Sequence, residues 1–347
     1  WSSDVCSSDL IFIFVKEVMM KKRLAIIIIT TLLGSCLYGC NKKEAVNSTN
    51  VIESKYSFPY TGEECDQTSI NNTPFMVMVE NSPSARPQSG LSQADIIYET
   101  SAEGGIPRFM ALFHSQSPSI IGPVRSVRPY YITLSRENSL PFAHCGGSLD
   151  ALNEIKQDNS IMSINEISKE HYFWRDSTRK APHNLYTSSE KIRSFISTTN
   201  WDVKSKNFST FDNEYYNSND YKTCDNILIT INNHYNTSYT YNNNVYTKYM
   251  DGEKAWDMAY ESPLEFSNVI IQKTDIKLGE DGLHLDINMI GEGDGLLLSN
   301  GKILDIKWKK YSELSETKIY DMNGNELPLA TGKTIWHIVD NKTSIKY

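Results

Sequence analysis

FMVMV, Phe75 to Val79, is a short apolar run that follows Pro74 and leads into the polar loop NSPSARPQSGL, residues 81–91. A strand with one wet face alternates apolar and polar residues, whereas a short continuous run bounded by turn residues is a strand covered on both faces. The segments ADIIY (94–98) and RFMALF (108–113) repeat the pattern, again with loops rich in glycine, serine and proline between them. Helices are predicted after them. Pro129 suits the first turn of a helix carrying Tyr130, Tyr131 and Leu134, and it holds Arg128 extended at the entrance. Ser148 and Ser188 are N-cap residues for LDALNEIK and SEKIRSFI. This predicts an α/β N-terminal domain over 57–196.

Downstream the composition changes. After a connecting segment, 197–225, the chain is rich in Tyr, Asn, Ser and Thr. Strand-like pieces fall at 227–231, 239–241 and 245–250. Leu283, Leu285, Ile287 and Met289 alternate with polar residues, and Asn300-Gly301 and Asn323-Gly324 are hairpin turns. A smaller, mainly antiparallel β domain is predicted over 226–347, completed by TIWHIV (334–339). Trp256, Trp308 and Trp336 are packing anchors or, alternatively, a carbohydrate-binding face.

The N-terminus reads as an address. Residues 1–19 are expected to form a lead that is non-native or untranslated, with translation starting at Met20 or at Met19. MKKRLAIIIITTLLGSCLYGC then has the basic head and apolar run of a signal peptide, 20–39, ending at Cys40. The chain turns polar at once. Cys40 is the predicted lipidation site, with Cys36 as the competing one, and residues 40–56 form a tether. The fold is therefore expected outside the cytoplasm, lipid-anchored to the membrane.

A formal net charge of −8 over 347 residues argues against nucleic acid as a partner. Cys65, Cys145 and Cys224 match no compact metal motif, and no cofactor or metal is expected; the sequence leaves a disulfide among them open. Arginine is segregated: eight follow the signal, from Arg86 to Arg193, and none lies beyond. Guanidinium is a rigid fork suited to carboxylates and phosphates. In GPVRSVRPYYI (122–132), Arg125 and Arg128 either form an anion pocket beside the helix entrance or pair internally with Glu99, Glu103 or Asp176. In HYFWRDSTRKAPHNLYTS (171–188), His183 is a candidate base with Asp176 or Glu103 as its carboxylate, and Arg175 or Arg179 faces an anionic substrate.

The runs ARPQSGLSQADIIYETSAEGGIPRFMALF, IGPVRSVRPYY, HCGGS and YFWRDSTRKAPHNLYTS, together with the lipobox and tether, resemble the YerB-like lipoproteins of Gram-positive bacteria, over roughly Phe58 to Tyr347. The resemblance implies a lipid-anchored, two-domain envelope protein and no assigned mechanism. Arg86, Glu99, Glu103, Arg108, Arg125, Arg128, His183 and Asn184 carry over as motif positions. With Arg175 and Arg179 they make the candidate ligand-binding set. The expected function is binding of an anionic envelope ligand or a cell-wall or envelope protein partner. The alternative is a hydrolase or transferase acting on a cell-wall component with His183 as base.

Overall fold

The computed structural model describes residues 56–217 and 220–347, which belong to one unit. The lead, the signal, Cys40, Cys36 and nearly all of the tether lie outside the described residues. Among those described, no helix is long and apolar enough to cross a membrane.

Phe75–Val79 is a strand (β1) buried at every residue. It lies between β3 (Arg108–Phe113), antiparallel, and β4 (Phe142–His144), parallel, with β5 (Ser163–Asn165) parallel beyond β4. β2 (Ile96–Thr100) flanks β3 on its other side. Three α-helices accompany these strands: α1 (Pro129–Asn138), α2 (Leu149–Gln157) and α3 (Ser189–Ile196). The caps fall where the residue types put them. Ser148 accepts from Ala151 N and Ser188 from Lys191 N, and Arg128, extended at φ −133°, is the N-cap residue of α1. The N-terminal segment is thus a mixed sheet with a few helices.

The C-terminal segment is mostly antiparallel. β6 (Asn226–Asn232), β7 (Tyr235–Asn242) and β8 (Val245–Met250) form a meander within a second, six-stranded sheet. β9 (Asn268–Thr274), β10 (Gly291–Ser299) and β11 (Lys302–Lys310) follow, with the Asn300-Gly301 turn closing the β10–β11 hairpin. β12 (Thr334–Asp340) departs from expectation. It does not complete a separate antiparallel sheet but lies between β9 and β2, parallel to both, with His337 opposite Glu99. One eleven-stranded sheet therefore runs through both segments. The reason is legible in hindsight: TIWHIV is buried at every position, as an inner parallel strand requires. Leu283 also departs from the half-buried strand read for it. Only Leu285–Ile287 is strand, and Leu283 is exposed.

Alternation along each strand separates two cores. Phe75, Val77 and Val79, with Ile97, face the six-stranded sheet and α3, while Met76 and Met78 face α1. Trp308 and Trp336 are packing anchors, their indole N–H groups donating to Lys273 O (2.8 Å) and Gln272 Oε1 (2.9 Å).

Candidate functional site

The parallel strands β1, β2, β4 and β5 end on one edge of the sheet, and open sheets of this kind present ligand sites beyond their carboxyl ends. Residues after those ends supply the polar side chains. Glu80 follows β1, Glu103 follows β2, Cys145 follows β4 and Glu166 follows β5. The chain between β3 and α1 passes the same edge. Arg125 N donates to Met78 O and Arg125 O accepts from Cys145 N, fixing this residue between β1 and β4. Gly122 makes the approach possible: a Cβ there would lie 2.7 Å from Leu185 O.

The two arginines of GPVRSVRPYYI have different fates. Arg128 grips Glu103 with both arms of its fork, Nε to Oε1 and Nη2 to Oε2 (2.7 Å), and gives Nη1 to Val127 O. Arg108 donates to the same carboxylate (3.0 Å) and to Ser126 O. Burial alone would raise Glu103, but the Arg128 hydrogen bond and both guanidinium charges outweigh it and hold the carboxyl below its usual range. The helix-entrance anion is thus Glu103 itself. Arg125 pairs with none of Glu99, Glu103 and Asp176. Its nearest carboxylate contact among the described residues is Glu80 Oε1 at 3.7 Å, and 32 % of its side chain is exposed.

A folded value lowered below the unfolded one stabilises the protein above the ordinary carboxylate range, and that stability is lost as pH falls through the folded value. Glu103→Gln is therefore expected to cost about 1.5–3 kcal/mol at pH 7 and progressively less in acid. Urea unfolding at several pH values checks this; a gap that stays constant down to about pH 3 would contradict it.

His183 does find a carboxylate, though not a predicted one. Its Nδ1 lies 3.0 Å from Glu80 Oε2, while Ser82 Oγ donates to Glu80 Oε1 (2.8 Å) and stands 3.5 Å from the same ring nitrogen. Asp176 instead caps its own turn through Thr178 N and Oγ1, and those hydrogen bonds lower its carboxyl. Glu103 is occupied by Arg108 and Arg128. Asn184 accepts from Arg175 Nη1 (3.0 Å), and Arg175 Nη2 lies 3.7 Å from Glu166. Cys145 donates to Glu166, and burial together with that carboxylate pushes its thiol up to about 11, against the charges of Arg175 and Arg125. A thiol so protonated is a poor nucleophile.

Arg125, Arg175, His183 and Asn184 thus gather at one sheet edge with Glu80 and Glu166. Arg179 and Arg86 brace loops instead. Arg179 donates to Ser84 O, Pro87 O and Tyr186 Oη, and Arg86 to Asn81 and Asp251. Three of the remaining histidines are engaged apart from one another: His114 with Ile70 O, His144 with Gly146 O and Ser163, and His337 with Tyr239. Cys65, Cys145 and Cys224 are free thiols.

Glu99 is interior. Its Oε2 accepts from Lys248 Nζ (2.7 Å) and its Oε1 from Tyr235 Oη, and Lys248 also reaches Thr237 Oγ1 and Tyr239 Oη. Burial would raise Glu99, but Lys248 and the hydrogen bonds hold it below its usual range. His337, pushed down to about 3 by burial, stays neutral. The sequence reading missed Glu80 and Lys248, and each had a signal. Glu80 is the carboxylate that directly follows a fully buried strand, and Lys248 shares strand parity with Tyr246 and Met250.

The chain enters the described fold at the opposite end of β1. Phe58 and Tyr60 pack edge-on against His114, each with ring centroids 5.6 Å apart, next to the residue paired with Phe75.

Residues 60–202 match the family described as "Protein of unknown function (DUF3048) N-terminal domain", and residues 226–336 match its "C-terminal domain". The chain is 33% identical over 323 residues to "Putative lipoprotein YerB" of Bacillus subtilis (strain 168), covering 87% of this chain and 91% of that protein. The crystal structure of the YerB protein from Bacillus subtilis superposes with a TM-score of 0.75 at 32% identity, over 84% of this chain and 100% of that one.

Proposed function

The chain belongs to the YerB-like DUF3048 family, and on that premise we propose that it is an extracytoplasmic lipoprotein, anchored through Cys40, which binds an anionic envelope component at Arg125 and Arg175. The relative's name and the Leu37–Cys40 pattern support the anchor. The observation that carries the binding reading is the contrast between the arginines. Arg128 and Arg108 are both held on Glu103, whereas Arg125 keeps a third of its side chain exposed at 3.7 Å from Glu80. Arg175, 47 % exposed, is similarly loosely held to Glu166. An incoming carboxylate or phosphate gains charge-assisted hydrogen bonds from both forks. Because the chain enters at the other end of β1, the site would face away from the tether side.

A second reading rests on the His183–Glu80 contact of 3.0 Å: a carboxylate-oriented imidazole is half of a general-base arrangement. One experiment separates the two. Calorimetric titration with muropeptides bearing free carboxylates should show binding that Arg125→Ala with Arg175→Ala weakens at least about tenfold, while His183→Gln keeps it and no muropeptide is converted. Equal affinity in the double variant would remove the anion reading. Conversion abolished by His183→Gln would establish the catalytic one.

A further inference from the structure

Beyond Pro83 the loop that follows β1 forms one wall of a cavity of about 480 Å³ whose opposite wall comes from the end of β8 and the strand pair after it. The apolar lining is Pro83, Pro87, Met250 and Trp256. Trp256 is 40 % exposed, whereas Trp308 and Trp336 are buried with their N–H groups engaged. The polar groups are Arg86 and Asp251, joined across the cavity at 2.7 Å, and the exposed Glu253 and Lys254.

We propose that this cavity binds a neutral saccharide, one pyranose ring stacking its C–H face on Trp256 while its hydroxyls bond Asp251, Glu253 and Arg86. The chemistry of the lining selects that class. Cavities of this size, mostly apolar with a few convergent polar groups, are the usual form of small-molecule sites. A wholly apolar ligand would strip water from the Arg86–Asp251 pair without replacing its hydrogen bonds. A charged ligand of either sign finds no surplus of counter-charge, because Arg86 and Lys254 balance Asp251 and Glu253. A proline-rich peptide docks on grooves with several aromatic rings, and here a single indole is offered. A sugar ring has what the cavity lacks on each side: an apolar face for the indole, and hydroxyl donors for carboxylates whose lone pairs are not all used. Asp251 accepts from Arg86 on one oxygen and from Asn236 N on the other, leaving further acceptor positions on both. The site is separate from the Arg125 edge and does not depend on the anion reading.

The test is titration of the protein with neutral β-1,4-linked N-acetylglucosamine and glucose oligosaccharides of two to four rings, followed by tryptophan fluorescence and calorimetry. Saturable binding of one of these is expected. Trp256→Ala should weaken it at least about tenfold with an unchanged thermal midpoint, and Trp256→Phe, which keeps a stacking ring, should weaken it less. The proposal is overturned if neither saccharide series saturates, if Trp256→Ala and Trp256→Phe both bind as the native protein does, or if a proline-rich peptide saturates the site and the saccharides do not.

Discussion

Lys248→Ala is expected to lower the unfolding free energy by about 3–5 kcal/mol, the largest loss from any single substitution considered. Lys248 is fully buried, and its ammonium is the counter-charge of Glu99, itself 2 % exposed. Removing it leaves a carboxylate deep in the protein with Tyr235 Oη as its remaining hydrogen-bond donor and His337 Nδ1 3.4 Å away. It also leaves Thr237 Oγ1 and Tyr239 Oη without the ammonium they now contact. The carboxyl then protonates or draws in water, and either outcome destabilises the fold. The pair is not expected to be more stabilising than well-packed apolar side chains. Lys248→Met combined with Glu99→Leu should therefore recover most of the loss, since desolvation offsets much of the attraction between buried charges. Urea midpoints for the native protein, the single variant and the double variant provide the measurement. A single-variant loss below about 1 kcal/mol would mean that Glu99 is already neutral or hydrated.

Residues 56–202 expressed alone should fail to fold cooperatively, even though the N-terminal family match ends at residue 202. β2 is an inner strand only because β12 pairs with it along five residues, Ile96 to Thr100. Without β12 it becomes an unpaired parallel edge, a template for aggregation. Its Glu99 would also lose Lys248 and Tyr235, and Glu137 on α1 would lose Lys310 (2.7 Å) and Thr317, all supplied from beyond residue 202. Two buried carboxylates would then lack their partners, and the whole six-stranded sheet that covers Phe75, Val77 and Ile97 would be gone. Circular dichroism and denaturant titration of the fragment give the answer. A sharp two-state transition would show that the N-terminal segment is an independent domain; expected instead is a soluble fold restored only when residues 220–347 are supplied with it.

Much of the secondary structure was legible because local rules and burial agree along the chain. FMVMV is a strand covered on both faces, Pro129 opens α1 with Arg128 extended before it, Ser148 and Ser188 cap their helices, and Asn300-Gly301 turns a hairpin. The polar site was legible only as a set of residue types. Its gathering of Arg125, Arg175, His183 and Asn184 at one edge involves Glu80 and Glu166, which were not singled out, and His183 turned to Glu80, 103 positions away in the chain, rather than to the nearby Asp176.

By itself the sequence determined where FMVMV, the capped helices and the Asn300-Gly301 turn fall, because those depend on residues within a few positions of one another. It also determined that the fork-bearing cations lie no further along the chain than Arg193. Only the tertiary structure decided that β12 crosses back to lie beside β2, and so which charges meet. Arg128 and Arg125 are three residues apart and have the same chemistry, yet one is closed by Glu103, 25 residues away in the chain, and the other is left half open beside Glu80. Pairing of charges is a property of which strand ends converge, and convergence is set by burial of whole strands rather than by any local pattern.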